Sequence, residues 1–469
     1  MRGKRGANRT KPSDWTNRAS WSDMEVHPPF PFPASFPHSI IPLFPPSPPG
    51  GRHSMIDRQE ITVLRELARR VAELAATDAN GQRIDDWTQL NGLDGSVRPQ
   101  VLVHLWPLAW DEVLPDSGLQ CASRLGQRYE RDLRRTIWAA ENLGCDNVVE
   151  PVIHYPLAFN LDPYGGLHVE KRYVDGHDDG AAEFIPTIVE KSDLDKLGDP
   201  TLTVDHEQIA RNREQAQEIF SPFLTPVKQP YYFAAKVADE FSWYRGLENT
   251  YMDMITDPDW VHEALQRIAN NFRQRFLLLE EAGLWGVPAK SNPLGSAGLR
   301  FAPDMPDWRT ADDPSTFAPT LAESWGFTCA EAFNCVSPAM HDEFGFEYDR
   351  QLMSMFKYIN VGCCETLDKK AQLIRSLPNA RKISVSEWCD VAEAAENIGP
   401  DYVYSYRAAG VPFMQNPWNK DAVREEISAV LDATRGCPVE IVLNIGGTMG
   451  AGDPAQKLIE WCELVRGLL

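Results

Sequence analysis

Residues 358–407 read YINVGCCETLDKKAQLIRSLPNARKISVSEWCDVAEAAENIGPDYVYSYR, and this stretch decides the fold class. Three short runs rich in β-branched and aromatic residues, YINVGCC (358–364), RKISVSE (381–387) and YVYSYR (402–407), alternate with the amphipathic segments LDKKAQLIRSL (367–377) and DVAEAAENIG (390–399). Strands separated by helix-length polar-faced segments pair in parallel, because the crossover returns the chain to the same edge. The alternation continues outward. KDAVREEISAVLDATRG (420–436), VEIVLNI (439–445) and DPAQKLIEWCELVRGLL (453–469) follow it. Upstream lie QVLVHLW (100–106), NVVEPVI (147–153), PYYFAAK (230–236) and WGFTCAEA (325–332), with helical patterns over 128–144, 257–283 and 337–356. Eight such strands predict a (β/α)8 TIM barrel with insertions, an α/β fold. An open doubly wound sheet is the alternative, but no GxGxxG or GxxxxGK[ST] turn follows any strand.

The composition breaks before the first helix. Residues 1–54 carry seven Lys/Arg against three Asp/Glu, and residues 28–49 hold ten of the 36 prolines. Such proline density removes backbone donors, so a disordered proline-rich tail is expected there, with Met55 as the expected initiator and a barrel over 55–469. The 469-residue chain is strongly acidic, 46 − 67 = −21, a field that repels phosphate backbones and anionic lipid. No nucleic acid and no membrane are expected as partners. The sequence contains no apolar run of about eighteen residues and no basic-then-apolar leader pattern, so a cytoplasmic address is expected. Nine scattered cysteines read as reduced thiols. The longest insertion, from about His154 to Gln229, includes GHDDGAAE and a hairpin around GLHVEKRYV, and reads as a lid or an oligomer contact, so a homodimer is an expected assembly.

Chemistry in such barrels occupies the C-terminal strand ends. The polar residues expected there are His104 and Trp106, Glu150, Glu331, Cys363, Cys364 and Glu365, Ser386 and Glu387, Ser405 and Arg407, and Asn444 with Gly446 and Gly447. Glu150, Glu331, Glu387 and Arg407 are the candidate catalytic groups: carboxylates that carry protons and a cation that anchors a carboxylate. Asn444, Gly446 and Gly447 open the glycine-rich turn NIGGTMGAGDP (444–454), whose backbone amides suit a bound anion. The GCCE run (362–365) is the most informative. Adjacent strand residues point to opposite faces, so one of Cys363 and Cys364 is expected to face the barrel axis and the other to pack outward. A catalytic zinc takes three protein ligands, thiolate sulfur at about 2.3 Å, and keeps one position open. Cys363 or Cys364 with Glu331, Glu365 or His104 would supply that set.

VSPAMHDEFGFEYDRQL (336–352), the 358–399 stretch, GLENTYMDMITDPDWVHEAL (246–265) and NIGGTMGAGDP together resemble the uroporphyrinogen decarboxylase-like superfamily, which includes the methylcobamide:coenzyme M methyltransferases. The similarity covers most of residues 95–469 and is nearest to a branch with a GCCE motif. The resemblance implies a TIM barrel and an enzyme. Haem-pathway decarboxylases carry an R-Q-A-G-R-Y motif where this chain has VLVHLWPLAWDEVLP (101–115), which leaves a substrate with many carboxylates without its cations. The methyltransferase branch binds zinc through His-x-Cys and a later Cys. Here Cys363 matches that first Cys, Val361 replaces the His, and Asn444 stands where the later ligand would be. The resemblance therefore implies zinc-dependent methyl transfer involving a corrinoid, delivered by a corrinoid protein, and a small thiol or methoxy substrate. Decarboxylation of a tetrapyrrole-related or small carboxylic acid is the second reading, and a non-catalytic corrinoid- or tetrapyrrole-binding barrel the third.

Overall fold

The computed structural model describes residues 56–173 and 182–469. The expected proline-rich tail, Met55 and most of GHDDGAAE lie outside the described residues. Six strands form one parallel sheet: β1 (Gln100–Leu105), β4 (Trp325–Thr328), β5 (Tyr358–Val361), β6 (Ala380–Val385), β7 (Val403–Ala408) and β8 (Val439–Ile445), in the order β1-β8-β7-β6-β5-β4. Two further strands, β2 (Val152–Tyr155) and β3 (Thr225–Lys228), pair in parallel as a separate ladder. The segments flanking that ladder reach both edges of the sheet: the Asp146 N–H, before it, donates to Val101 O at 2.8 Å, and the Ala235 N–H, after it, donates to Phe327 O at 2.8 Å. The fold is thus mixed α/β around a parallel sheet curved as a half-barrel.

The sheet's faces differ, and the difference follows from period-two alternation. Leu102, Val403 and Val442 face a small apolar cluster with Trp87, Leu90, Leu299 and Phe301, supplied by the helix Asp78–Asn91 and the loop before β4. Trp87 is fully buried and donates its indole N–H to Asp146 O at 2.8 Å. On the same inner face Lys382 and Glu440 form an ion pair of 2.6 Å with both side chains 0 % exposed. The opposite face packs on the helices in the main apolar core, which includes Ile383, Val385, Ile441 and Leu443.

Helix starts obey local chemistry. Asp57 accepts the Gln59 and Glu60 N–H groups while Glu60 returns to the Asp57 N–H, a capping box that opens the helix Arg58–Ala75. Asn419 and Asp453 cap the helices Lys420–Ala433 and Pro454–Arg466 more simply, each side chain accepting one backbone N–H, from Ala422 and Gln456. The hairpin expected around GLHVEKRYV is present as Glu170–Tyr173 paired antiparallel with Ala182–Ile185. Among the described residues, no helix is long and apolar enough to cross a membrane.

Four sequence expectations change: the helix expected over 367–377 is reduced to the single turn Ala371–Ile374, and three others differ as follows. The second strand begins at Val152 instead of residue 147, and the third occupies Thr225–Lys228 with residues 229–236 extended beyond it. The continuous helix expected over 337–356 is broken into Pro338–His341, a π-turn at Asp342–Phe346, and Glu347–Met353. Gly345 sits inside that break, where any Cβ would lie 2.8 Å from the His341 ring.

Candidate metal centre

Cys363 and Cys364 do not obey strand alternation. β5 ends at Val361, and Gly362 follows with φ +90°, a conformation that L side chains rarely adopt. A Cβ at Gly362 would also fall 2.3 Å from Leu367 Cδ1. The chain therefore leaves the sheet before the two cysteines, and both sulfurs turn to one side, 3.6 Å apart and half-buried. The expectation that one packs outward is corrected by this turn.

Two buried carboxylates bracket the loops that carry the cluster. Glu365, 2 % exposed, accepts the Ala330 N–H at 2.9 Å and the Cys363 N–H at 2.8 Å, tying the loop after β4 to the loop after β5. Asp239, in the first turn of the helix Val237–Arg245, accepts the Ala332 N–H at 2.7 Å. Glu331 lies between these two anchors. One ligand atom each from Glu331, Cys363 and Cys364 lies within 4.8 Å of the others. Glu365 is outside that group because backbone amides engage both its oxygens, so its role here is to position the Glu331 and Cys363 loops.

Two cations border the cluster. Arg407, on β7, directs Nη1 to Cys364 Sγ at 2.8 Å and to Cys363 O at 3.0 Å. Lys236, at the end of the extended run after β3, stands 3.9 Å from Glu331 and 3.8 Å from Asp239. Burial opposes the Lys236 ammonium, but Cys329, Glu331, Asp239 and Cys363 around it hold its pKa well above the ordinary value. The hydrogen bond with Cys364, together with burial, pushes the Cys363 thiol up. Burial likewise pushes Asp239 up to about 7, with Lys236 opposing and Glu331 reinforcing. Glu365 is raised by burial and by the Glu331 charge.

The other sequence candidates are placed elsewhere or around the rim. Glu150 precedes β2 instead of ending a strand; its carboxylate accepts the Ser291 N–H at 2.7 Å and the Trp308 indole N–H at 3.0 Å. It braces the loop before β4 and is not brought to the cluster. His104 stands on β1 in register with Asn444, its Nδ1 buried without a hydrogen-bond partner and its pKa lowered by burial to about 4. It is outside the group of converging ligand atoms. Asn444 accepts the Trp106 indole N–H at 2.6 Å. Beyond it, the loop with Gly446 and Gly447 is held by Glu112 accepting the Met449 N–H and by Lys457 donating to Met449 O. Glu387 follows β6 in the field of Arg407, which opposes the rise that burial imposes on its pKa.

Lys236 and Asp239 are the residues that sequence reasoning missed. A lysine closing PYYFAAK, the third strand-like run, with an aspartate three residues on, was the available signal.

The donor set suits zinc. Two thiolates and one carboxylate match the ligand types of a soft-to-borderline dication, and three protein ligands leave the fourth tetrahedral position to a substrate.

In comparisons with known proteins, no protein-family profile and no curated protein matches the chain. Among solved structures that resemble it is a methyltransferase from Methanosarcina mazei, at 12 % sequence identity and a TM-score of 0.39, covering 71 % of this chain and 85 % of that one. A likeness at that level leaves the chemistry to be argued from this chain's own residues.

Proposed function

We propose that the chain is a methyl-transfer enzyme built on a closed eight-stave barrel, in which Glu331, Cys363 and Cys364 hold a zinc ion facing a thiol or methoxy substrate. The observation that carries this reading is the convergence of the three ligand atoms within 4.8 Å at the ends of neighbouring strands. When bound, zinc supplies the positive charge that keeps a coordinated thiol ionised at neutral pH, and a thiolate is the nucleophile a methyl donor requires.

The protein's own groups prepare the site. Glu365 and Asp239 fix the two loops so that the three ligands meet before anything binds, which lowers the cost of assembling the site. Arg407 places a fixed charge against Cys364, and Lys236 balances Glu331, so neither acidic group is left bare when the substrate position is empty. A corrinoid, brought by a corrinoid protein and resting near Asn444, Gly446 and Gly447, is the methyl carrier this reading takes; the assembly is a homodimer working in the cytoplasm.

The decarboxylase reading draws on the same mouth but uses Arg407 to anchor a substrate carboxylate. Arg407 is instead directed at Cys364 and at Cys363 O, which favours the thiol chemistry. The test is substitution. Cys363→Ser is expected to lose the metal and the transfer of a methyl group to a thiol acceptor together, because a serine hydroxyl is a far poorer zinc ligand than a thiolate. Retention of transfer by a metal-free Cys363→Ser protein would overturn the proposal.

A further inference from the structure

The geometry points to Cys363 and Cys364 as an oxidative modification site, a dithiol that a peroxide-class oxidant converts into a disulfide between adjacent residues. The argument rests on placement. The sulfurs are 3.6 Å apart because Gly362 ends the strand alternation, and both are half-buried. Cys121, Cys145, Cys329, Cys389 and Cys462 are buried, while Cys335 is exposed and Cys437 half-buried. Arg407 Nη1 lies 2.8 Å from Cys364 Sγ and 3.6 Å from Cys363 Sγ, so one cation borders both sulfurs.

The chemistry balances in two steps. Cys364, giving up its thiol proton as it reacts, attacks one oxygen of the peroxide, forming Cys364 sulfenic acid and releasing the other oxygen, with that proton, as an alcohol or as water. Cys363 then attacks the sulfenic sulfur, the S–S bond forms, and the hydroxyl leaves as water with the Cys363 proton. The dithiol loses two electrons and two hydrogens, and the peroxide is reduced. Adjacent Cα atoms across a trans peptide are only about 3.8 Å apart, below the usual disulfide range of about 4.4–6.8 Å, and such a strained disulfide is readily reduced again by a dithiol. The oxidation stands on the two sulfurs alone; its consequence, loss of two of three metal ligands and of activity, rests on the zinc reading above.

The test uses the full chain, as purified and again after chelator treatment, exposed to hydrogen peroxide. Cleavage after Lys357 and Lys369 puts both sulfurs in one tryptic peptide, 358–369. The expected result for the chelator-treated protein is that this peptide loses two hydrogens, refuses both alkylating groups, and recovers both after a dithiol reductant. Cys364→Ser should show no such loss, with Cys363 still alkylated. A peptide that keeps both thiols, or that gains only oxygen atoms, overturns the inference. Zinc in the reduced protein without any disulfide after chelation sinks this inference and leaves the zinc reading; a disulfide in a protein that never holds zinc does the reverse.

Discussion

Replacing Lys382 by Met breaks the ion pair at the centre of the inner sheet face. Lys382 Nζ donates to Glu440 Oε2 at 2.6 Å and to Leu299 O at 3.0 Å, and both charged side chains are 0 % exposed. The Met side chain fills most of the lysine stem's volume, so the packing loss is small and the electrostatic loss dominates. Glu440 keeps the Ser405 hydroxyl at 2.6 Å and the Gly298 N–H at 2.7 Å, but its charge is left uncompensated in a dry interior. Removal of one partner from such a pair costs about 3–5 kcal/mol, whereas replacement of both by apolar groups is often neutral. Lys382→Met should therefore lower the unfolding free energy by about that amount. Adding Glu440→Leu should restore most of the loss, and the double-mutant cycle gives the coupling directly. Urea unfolding followed by circular dichroism measures all four proteins. A loss below about 1 kcal/mol for Lys382→Met, the range of solvated pairs, would mean that the inner face of the sheet is wet and that the burial described above is wrong.

Gly362→Ala should displace both cysteines, since its positive φ and the 2.3 Å approach to Leu367 leave no room for a methyl group; loss of metal and activity with near-normal secondary structure would show it. His104→Gln should keep the metal, because His104 is outside the ligand group, and elemental analysis of that variant checks the ligand set. Asp349, 4 % exposed and raised by burial to about 8, is neutral in the folded state at pH values where the unfolded chain is ionised. Its contribution to stability is full below about pH 4 and is lost as pH rises toward 8, so the stability of wild type relative to Asp349→Asn should fall across that window in urea titrations at several pH values.

The strands β1 and β4 to β8 were legible because each is a short β-branched run bounded by amphipathic helix patterns, a signal that depends on local sequence alone. The second and third strands were shifted because their edges are set by pairing with each other, between residues more than seventy positions apart, which no local pattern reports. The 337–356 segment reads as one continuous helix because its apolar spacing survives a π-turn, while Gly345, where a Cβ would lie 2.8 Å from the His341 ring, sits inside the break. Cys363, Cys364 and Glu331 could be picked as residue types suited to a metal. Their mutual placement could not, since it rests on the φ of Gly362 and on brackets by Glu365 and Asp239 that join separate loops. Lys382 and Glu440 went unremarked: a lysine or glutamate inside a strand reads as a surface charge until the register closes the pair.

The central claim is tested most directly by the metal content of the reduced full-length protein prepared without chelators, measured together with X-ray absorption at the zinc edge. The account predicts about one zinc per chain with two sulfur neighbours at about 2.3 Å and lighter atoms completing the shell, all lost in the Cys363→Ser, Cys364→Ser double variant. A protein without zinc, or one whose zinc survives that double substitution, would contradict it.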